Sequence, residues 1–306
     1  MKNRPLATLL ATKRPLILDG AMGTELQRRG ANTGLPLWSA EALVISPGLV
    51  QQVHEEYIAA GADIITTNTF RTTRRTFLRT GLPDRSNQLT RIALGLARQA
   101  RERFPHREIL VAGSMAPLED CYRPELVPST RELEQEHAEL AARLADGGAD
   151  FLLLETIGTV REAAAACKAA TGTGKEVVVS FLCNSEGDLY GGEPLQDAVA
   201  AVLPFRPTAL SINCVSPRVM DKAVAKLRGA STLPFGVYAN VGQPGEEHGK
   251  VLVCDVSEGE YGSFALAWYH QGAAIIGGCC GTTPEYIRKL VETLHQQPLS
   301  MSDVQP

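Results

Sequence analysis

Short runs rich in valine, isoleucine and leucine alternate along the chain with longer segments whose apolar positions recur every three to four residues. The first run covers residues 16–19. After a loop through Trp38, residues 47–60 predict a helix, with Ser46 as its N-cap and Pro47 in its first turn. The later pairs are 63–70 with 88–104, 109–115 with 130–145, 150–156 with 160–170, and 177–183 with 195–205. Three more follow: 209–215 with 218–228, 235–241 with 260–271, and 274–279 with 284–295. The helix over 130–145 is acidic at its start and capped by Ser129 or Thr130. The runs are continuously apolar rather than alternating, as expected of strands buried on both faces of a parallel sheet. Gly61-Ala62-Asp63, Gly148-Ala149-Asp150 and Gly272-Ala273-Ala274 stand where a helix hands over to a strand, a place for a glycine cap.

Eight such units predict an α/β fold, a closed (β/α)8 TIM barrel in a single domain over 15–296, with loose tails at 1–14 and 297–306. A doubly wound open sheet is the alternative, but Asp19-Gly20-Ala21-Met22-Gly23 lacks the G-x-G-x-x-G spacing of a dinucleotide turn. The long loops, 20–45 and 116–129, follow strands, which in a barrel sets them on the active-site face.

Composition narrows the function. The chain has 306 residues, 44% apolar and 21% charged, with a formal charge of −4. That balance fits a globular enzyme and gives no basic footprint for nucleic acid. The arginines between Arg71 and Arg79 are expected on a solvated face or loop rather than at a phosphate site. No apolar run is long enough for a membrane span, and Lys2, Arg4, Lys13 and Arg14 interrupt the N-terminus, making it a poor signal peptide. Seven cysteines without small-domain spacing suggest a cytoplasmic, reduced protein.

Three of those cysteines carry the chemistry. Cys279 and Cys280 sit in Gly277-Gly278-Cys279-Cys280-Gly281, at the end of an apolar run and just before Thr282-Thr283-Pro284-Glu285 opens a helix. Cys214 has the matching place in Ile212-Asn213-Cys214-Val215. In a barrel the two strands are separated by only one other, so these thiolates can converge on the rim and hold one zinc with a position left open. Packing alone would explain any one of them, and a disulfide between neighbours 279 and 280 would be strained. Cys183 is the rival ligand; Cys121, Cys167 and Cys254 are read as loop or packing residues. A thiolate-rich zinc is a weak activator of water but can hold a substrate thiol ionised, where a free thiol of pKa about 8.5 is mostly protonated. The reaction class that follows is attack of a thiolate on an electrophilic carbon, with no catalytic residue needed beyond the metal site.

Asp19 and Glu155 each end an apolar run, where a barrel keeps functional residues. They can take the ammonium of a small amino acid whose thiol reaches the metal. A turn residue and a rim carboxylate are the plainer explanations. A zinc hydrolase would want histidines at strand ends, but His54, His137 and His270 fall within predicted helices. A non-catalytic barrel with a structural zinc would want a fourth ligand such as Cys183.

Taken in order, Leu18-Asp19-Gly20-Ala21-Met22-Gly23-Thr24, Thr67-Asn68-Thr69-Phe70, Leu154-Glu155-Thr156, Ile212-Asn213-Cys214 and Gly277-Gly278-Cys279-Cys280-Gly281-Thr282-Thr283-Pro284 resemble the homocysteine S-methyltransferase family over residues 15–294. The resemblance implies a (β/α)8 barrel that methylates homocysteine to methionine. It implies zinc on Cys214, Cys279 and Cys280, and Asp19, Gly20 and Glu155 around the homocysteine amino group. Family donors include S-methylmethionine or S-adenosylmethionine, betaine, and methyltetrahydrofolate through a corrinoid. Leu37-Trp38-Ser39-Ala40 is similar to the sulfonium-using branch, whereas Thr156 replaces an aromatic of betaine-type members. Thr67-Asn68-Thr69-Phe70 is closer to the corrinoid-linked branch. Direct transfer from a sulfonium to a thiolate is the expected mechanism, with Trp38 and Tyr122 available for cation–π contact. The expected partners are these small molecules, with neither nucleic acid nor membrane. A homo-oligomer stays open, since 48–60 and the helix from Glu260 carry apolar faces.

Overall fold

The computed structural model describes residues 3–295 apart from 13, 83 and 245–251; the tail expected at 297–306 lies outside the described residues. Its strands are β1 (Leu16–Ile17), β2 (Ile64–Thr66), β3 (Leu110–Met115), β4 (Phe151–Ile157), β5 (Val177–Phe181), β6 (Ala209–Asn213), β7 (Phe235–Ala239), β8 (Gly242–Pro244), β9 (Leu252–Cys254) and β10 (Ile275–Gly278). Eight of them form a parallel sheet in the order β1-β10-β7-β6-β5-β4-β3-β2. The two ends meet: Leu18 bridges Ile64, Asp63 N–H donates to the Ile17 carbonyl at 2.7 Å, and Asp19 N–H donates to that of Ile64 at 2.9 Å. The result is the expected (β/α)8 barrel. β8 and β9 add an antiparallel hairpin beyond β7. Among the described residues no helix is long and apolar enough to cross a membrane.

The helix signals are obeyed where caps and glycines agree. Pro47–Ala60 starts at Ser46 and ends at Gly61, whose φ of +117° a side chain would resist. Thr130–Asp146 starts in a capping box of Ser129 and Glu132. The strand expected over 63–70 is shorter, ending at Thr66. Beyond it the Thr67 and Thr69 hydroxyls bond each other at 2.8 Å, and the Thr69 hydroxyl donates to the Ser114 carbonyl at 2.7 Å, so the chain turns instead of extending the ladder. The first long loop contains helices Gly23–Arg28 and Ala42–Ile45 and a 3-10 turn, Trp38–Glu41.

The N-terminal segment corrects an expectation. Rather than a loose tail, Leu6–Leu10 is a helix whose Leu6, Leu9 and Leu10 are buried against Leu16, Phe151 and Val178. Glu176, just before β5, accepts both the Leu6 and Ala7 N–H groups at 2.7 Å. This helix plugs the N-terminal end of the barrel.

Inside the barrel, side chains follow the two-residue period of a strand. Leu16, Ile64, Leu110, Phe151, Val178, Ala209 and Ile275 fill the lower interior. Two or four residues further along six of these strands the inward set turns polar: Thr66, Ser114, Glu155, Ser180, Asn213 and Cys279. That change of chemistry along one face of six strands creates the site.

Candidate metal centre and substrate pocket

The Cys214, Cys279 and Cys280 sulfurs all lie within 4.8 Å of one another, and Cys214 Sγ is 3.9 Å from Cys280 Sγ. Tetrahedral thiolates with zinc–sulfur bonds of about 2.3 Å stand about 3.8 Å apart, so the spacing suits one such ion. Among the described residues no other group of histidine, cysteine and carboxylate ligands comes together this way. Cys183 is buried against Leu189 and stays out of the cluster.

The backbone that presents the sulfurs is held from several sides. Cys214 has φ +59°, a conformation disfavoured without a clamp. The clamp is Asn240, whose side chain donates to the Cys214 carbonyl at 3.0 Å. Cys279 N–H bonds the Ala239 carbonyl at 2.8 Å, and the Thr282 hydroxyl donates to the Cys279 carbonyl at 2.7 Å. Gly278 is required by close approach: a Cβ there would lie 2.4 Å from Thr282 Oγ1. Donation to the Cys214 sulfur pushes the Cys279 and Cys280 thiols up, and the same bonds hold the Cys214 thiol well below its ordinary range despite burial. The trio by itself therefore favours one negative charge, and a dication is what would hold all three ionised.

Two carboxyls face the same cavity. Asp19 is buried and accepts from Thr66 N–H at 2.7 Å and from the Thr66 hydroxyl at 2.9 Å. Burial pushes its carboxyl up to about 8, although the Thr66 bonds pull the other way. Glu155 takes a short hydrogen bond from the Ser114 hydroxyl, and burial pushes it up to about 7. Gly20 completes this wall; a Cβ there would meet Tyr57 and Thr282 at 2.7 Å.

Asn213, Tyr57 and Tyr238 were given no role from sequence, and Trp38 and Tyr122 only an aromatic contact with the donor. Asn213 accepts from Thr156 N–H at 2.9 Å and from the Ser180 hydroxyl at 2.8 Å, and donates to Thr156 Oγ1 at 2.9 Å. It thereby fixes Thr156 at φ +66°, directly after Glu155. The Tyr57 hydroxyl lies 2.9 and 3.0 Å from the Ala21 and Thr282 carbonyls, tying the β1 loop to the cysteine turn. Tyr238 is buried and lines the cavity. Tyr122 reaches the cysteine cluster, its hydroxyl 3.3 Å from Cys214 Sγ. Cys121, read as a loop residue, lines the cavity as well, as does Trp38, whose indole packs over Gly23. These pairings join residues tens to hundreds of positions apart, so no local pattern announces them. Of the histidines, His54 is a core residue and His137 pairs with buried Glu162 at 3.1 Å, away from the sulfurs.

A family model described as homocysteine S-methyltransferase matches residues 16–294. The chain is 35% identical to the homocysteine S-methyltransferase of Escherichia coli, covering 94% of this chain and 98% of that protein. It is 32% identical to the homocysteine S-methyltransferase YbgG of Bacillus subtilis, covering 94% and 96%. The crystal structure of the homocysteine methyltransferase MmuM from Escherichia coli in its metallated form superposes with a TM-score of 0.81 at 34% identity, covering 94% of this chain and 99% of that one.

Proposed function

The chain belongs to the homocysteine S-methyltransferase family, and on that premise we propose that it methylates the thiol of homocysteine, giving methionine, with a sulfonium such as S-methylmethionine or S-adenosylmethionine as donor. The observation that carries the reading is the convergence, in one cavity, of three sulfurs and two carboxyls from the ends of different strands. Asp19 and Glu155 take the homocysteine ammonium, with the Asp19-Gly20 backbone alongside. A zinc ion held by Cys214, Cys279 and Cys280 would keep the homocysteine thiol ionised at neutral pH.

The protein's own part is alignment. As the new bond forms between the homocysteine sulfur and the methyl carbon, the donor carbon–sulfur bond breaks and its electron pair stays on the leaving sulfide. The thiol proton is released to solvent, and the neutral leaving group needs no acid. Trp38 and Tyr122 line the cavity and offer aromatic faces to the positive sulfonium, a contact worth about 0.5–2 kcal/mol. The left-handed turn at Thr156, clamped by Asn213, fixes the direction of Glu155, and with it the direction of the thiol.

The test is methionine formation by reduced, zinc-loaded protein given homocysteine and S-methylmethionine, with S-adenosylmethionine and betaine in parallel. Methionine from a sulfonium supports the reading. Methionine from betaine alone overturns the donor assignment. No methionine from any of them, with zinc bound, overturns direct transfer and points to a corrinoid-carried methyl or another acceptor.

A further inference from the structure

The cavity that holds Asp19 and Glu155 has a second set of charges, unused by the acceptor. Arg71 is half-buried and is the one cationic side chain among the described residues lining it. Among the described residues its guanidinium makes a single hydrogen bond, from Nη1 to the Glu119 carbonyl at 3.1 Å, and it lies 5.5 Å over the Phe70 ring. Of the other arginines of the run, Arg75 is spent on Glu119, Glu132 and Glu136 and Arg79 on Glu119, while Arg74 is exposed and does not line the cavity. Arg71 enters no ion pair among the described residues. A guanidinium carries five N–H donors in a planar fork suited to a carboxylate, and here most of that fork has no partner among the described residues.

Asp120 follows Glu119 directly and lines the same cavity. One of its oxygens accepts Tyr122 N–H at 3.0 Å, and it too enters no ion pair among the described residues. A free guanidinium and a free carboxylate are thus set on two neighbouring loops, the first tied to the backbone beside the second. Their charges complement the carboxylate and ammonium of an α-amino acid.

We propose that Arg71 and Asp120 form a subsite for the amino-acid head of the methyl donor, Arg71 taking its carboxylate and Asp120 its ammonium. The proposal rests on the sulfonium reading above and narrows it to donors that are themselves amino acids. Acceptor thiol and donor methyl must meet in line, so the two substrates extend from the reacting atoms in opposite directions. The acceptor head lies deep, at carboxyls on strand ends. The donor head then lies outward, at the loops after β2 and β3. Betaine has a carboxylate but no primary ammonium and would engage only half of the subsite.

The experiment compares zinc-loaded wild type with R71M, whose side chain keeps the packing over Phe70, and with D120N. Two donors are used: S-methylmethionine and dimethylpropylsulfonium, which has no head group. Wild type should prefer S-methylmethionine in kcat/KM by about 10–100-fold, the range expected of a charge-assisted, partly buried contact. R71M should cut that preference to within about threefold of unity by raising the donor KM, and D120N should cut it partly. Homocysteine KM should shift less than the donor KM in both. A rise in homocysteine KM with the donor preference intact overturns the proposal by giving Arg71 to the acceptor. An intact preference with both KM values unmoved overturns it by leaving Arg71 a solvated residue. Wild type inactive with either sulfonium defeats the donor reading beneath, whereas an active wild type with an indifferent R71M defeats the subsite alone.

Discussion

If Glu155 holds the acceptor ammonium as proposed, replacing it by glutamine removes one charge from that pocket while keeping a side chain able to accept from Ser114. A hydrogen bond to a charged group contributes about 1.5–3 kcal/mol, and breaking a desolvated charge pair costs about 2–5 kcal/mol. Asp19 still faces the cavity and shares the ammonium, so the lower part of that range applies, about 2–3 kcal/mol. At pH 7 the Glu155 carboxyl, pushed up to about 7, is half ionised before substrate arrives, which takes off about 0.4 kcal/mol. The expected loss in homocysteine affinity is therefore about 15–100-fold. Calorimetric titration of homocysteine into zinc-loaded, reduced protein measures it, with metal content determined on the same sample. The pH dependence is a second readout. The ammonium binds the ionised carboxyls, so wild-type affinity should climb from pH 6 to 8 as Glu155 near 7 and Asp19 near 8 lose their protons. E155Q should lose the lower part of that climb. Affinity within threefold of wild type at equal metal content, or an unaltered pH profile, would refute the placement of Glu155 on the substrate.

Other outcomes follow from the same structure. The raised carboxyls keep protons that the unfolded chain would release above about 4, so substrate-free protein should lose stability as pH rises towards 7–8. E155Q should then gain thermal midpoint on wild type between pH 5 and 8; a difference that does not grow with pH would count against the buried-carboxyl account. C280A removes one of three sulfurs and should retain under a tenth of an equivalent of zinc after dialysis, with methyl transfer lost and far-UV dichroism kept. Zinc retention with activity would sink the metal assignment. N213A strips partners from Thr156 and Ser180 in a fully buried site, at a cost of about 2–4 kcal/mol in stability, and should raise homocysteine KM by releasing the turn after Glu155. Stability lost with an unmoved KM would make Asn213 merely structural. L6A opens a hole beneath the barrel and should cost about 2–4 kcal/mol, read as a lower thermal midpoint, with zinc content and kcat/KM held. An unchanged midpoint would mean the N-terminal helix does not plug the barrel as described.

The chain by itself determined its architecture, because the signals that make a (β/α)8 barrel are local. An apolar run, a helical period and a capping residue lie within a few positions of one another, as at Ser129 and Glu132 or at Pro47 and Gly61. It also determined the chemistry-bearing residues at strand ends. The two-residue period of Phe151, Leu153 and Glu155 carries an apolar interior upward into a carboxyl, and Asn213-Cys214 and Gly278-Cys279-Cys280 stand at the same height on other strands. Short elements without strong periodicity were not legible, among them Gly23–Arg28 and the leucine helix Leu6–Leu10, which owes its burial to a face it meets only after the barrel closes. Only the tertiary structure decided that the three sulfurs lie within one ion's reach and that Asn213 and Asn240 restrain two left-handed backbones. It alone brought Tyr122 to Cys214 and, among the described residues, left Arg71 without an ion pair while Arg75 found three carboxylates. Such contacts join distant segments, and their free energy depends on burial and on which partner a loop has already taken, neither of which a linear pattern encodes.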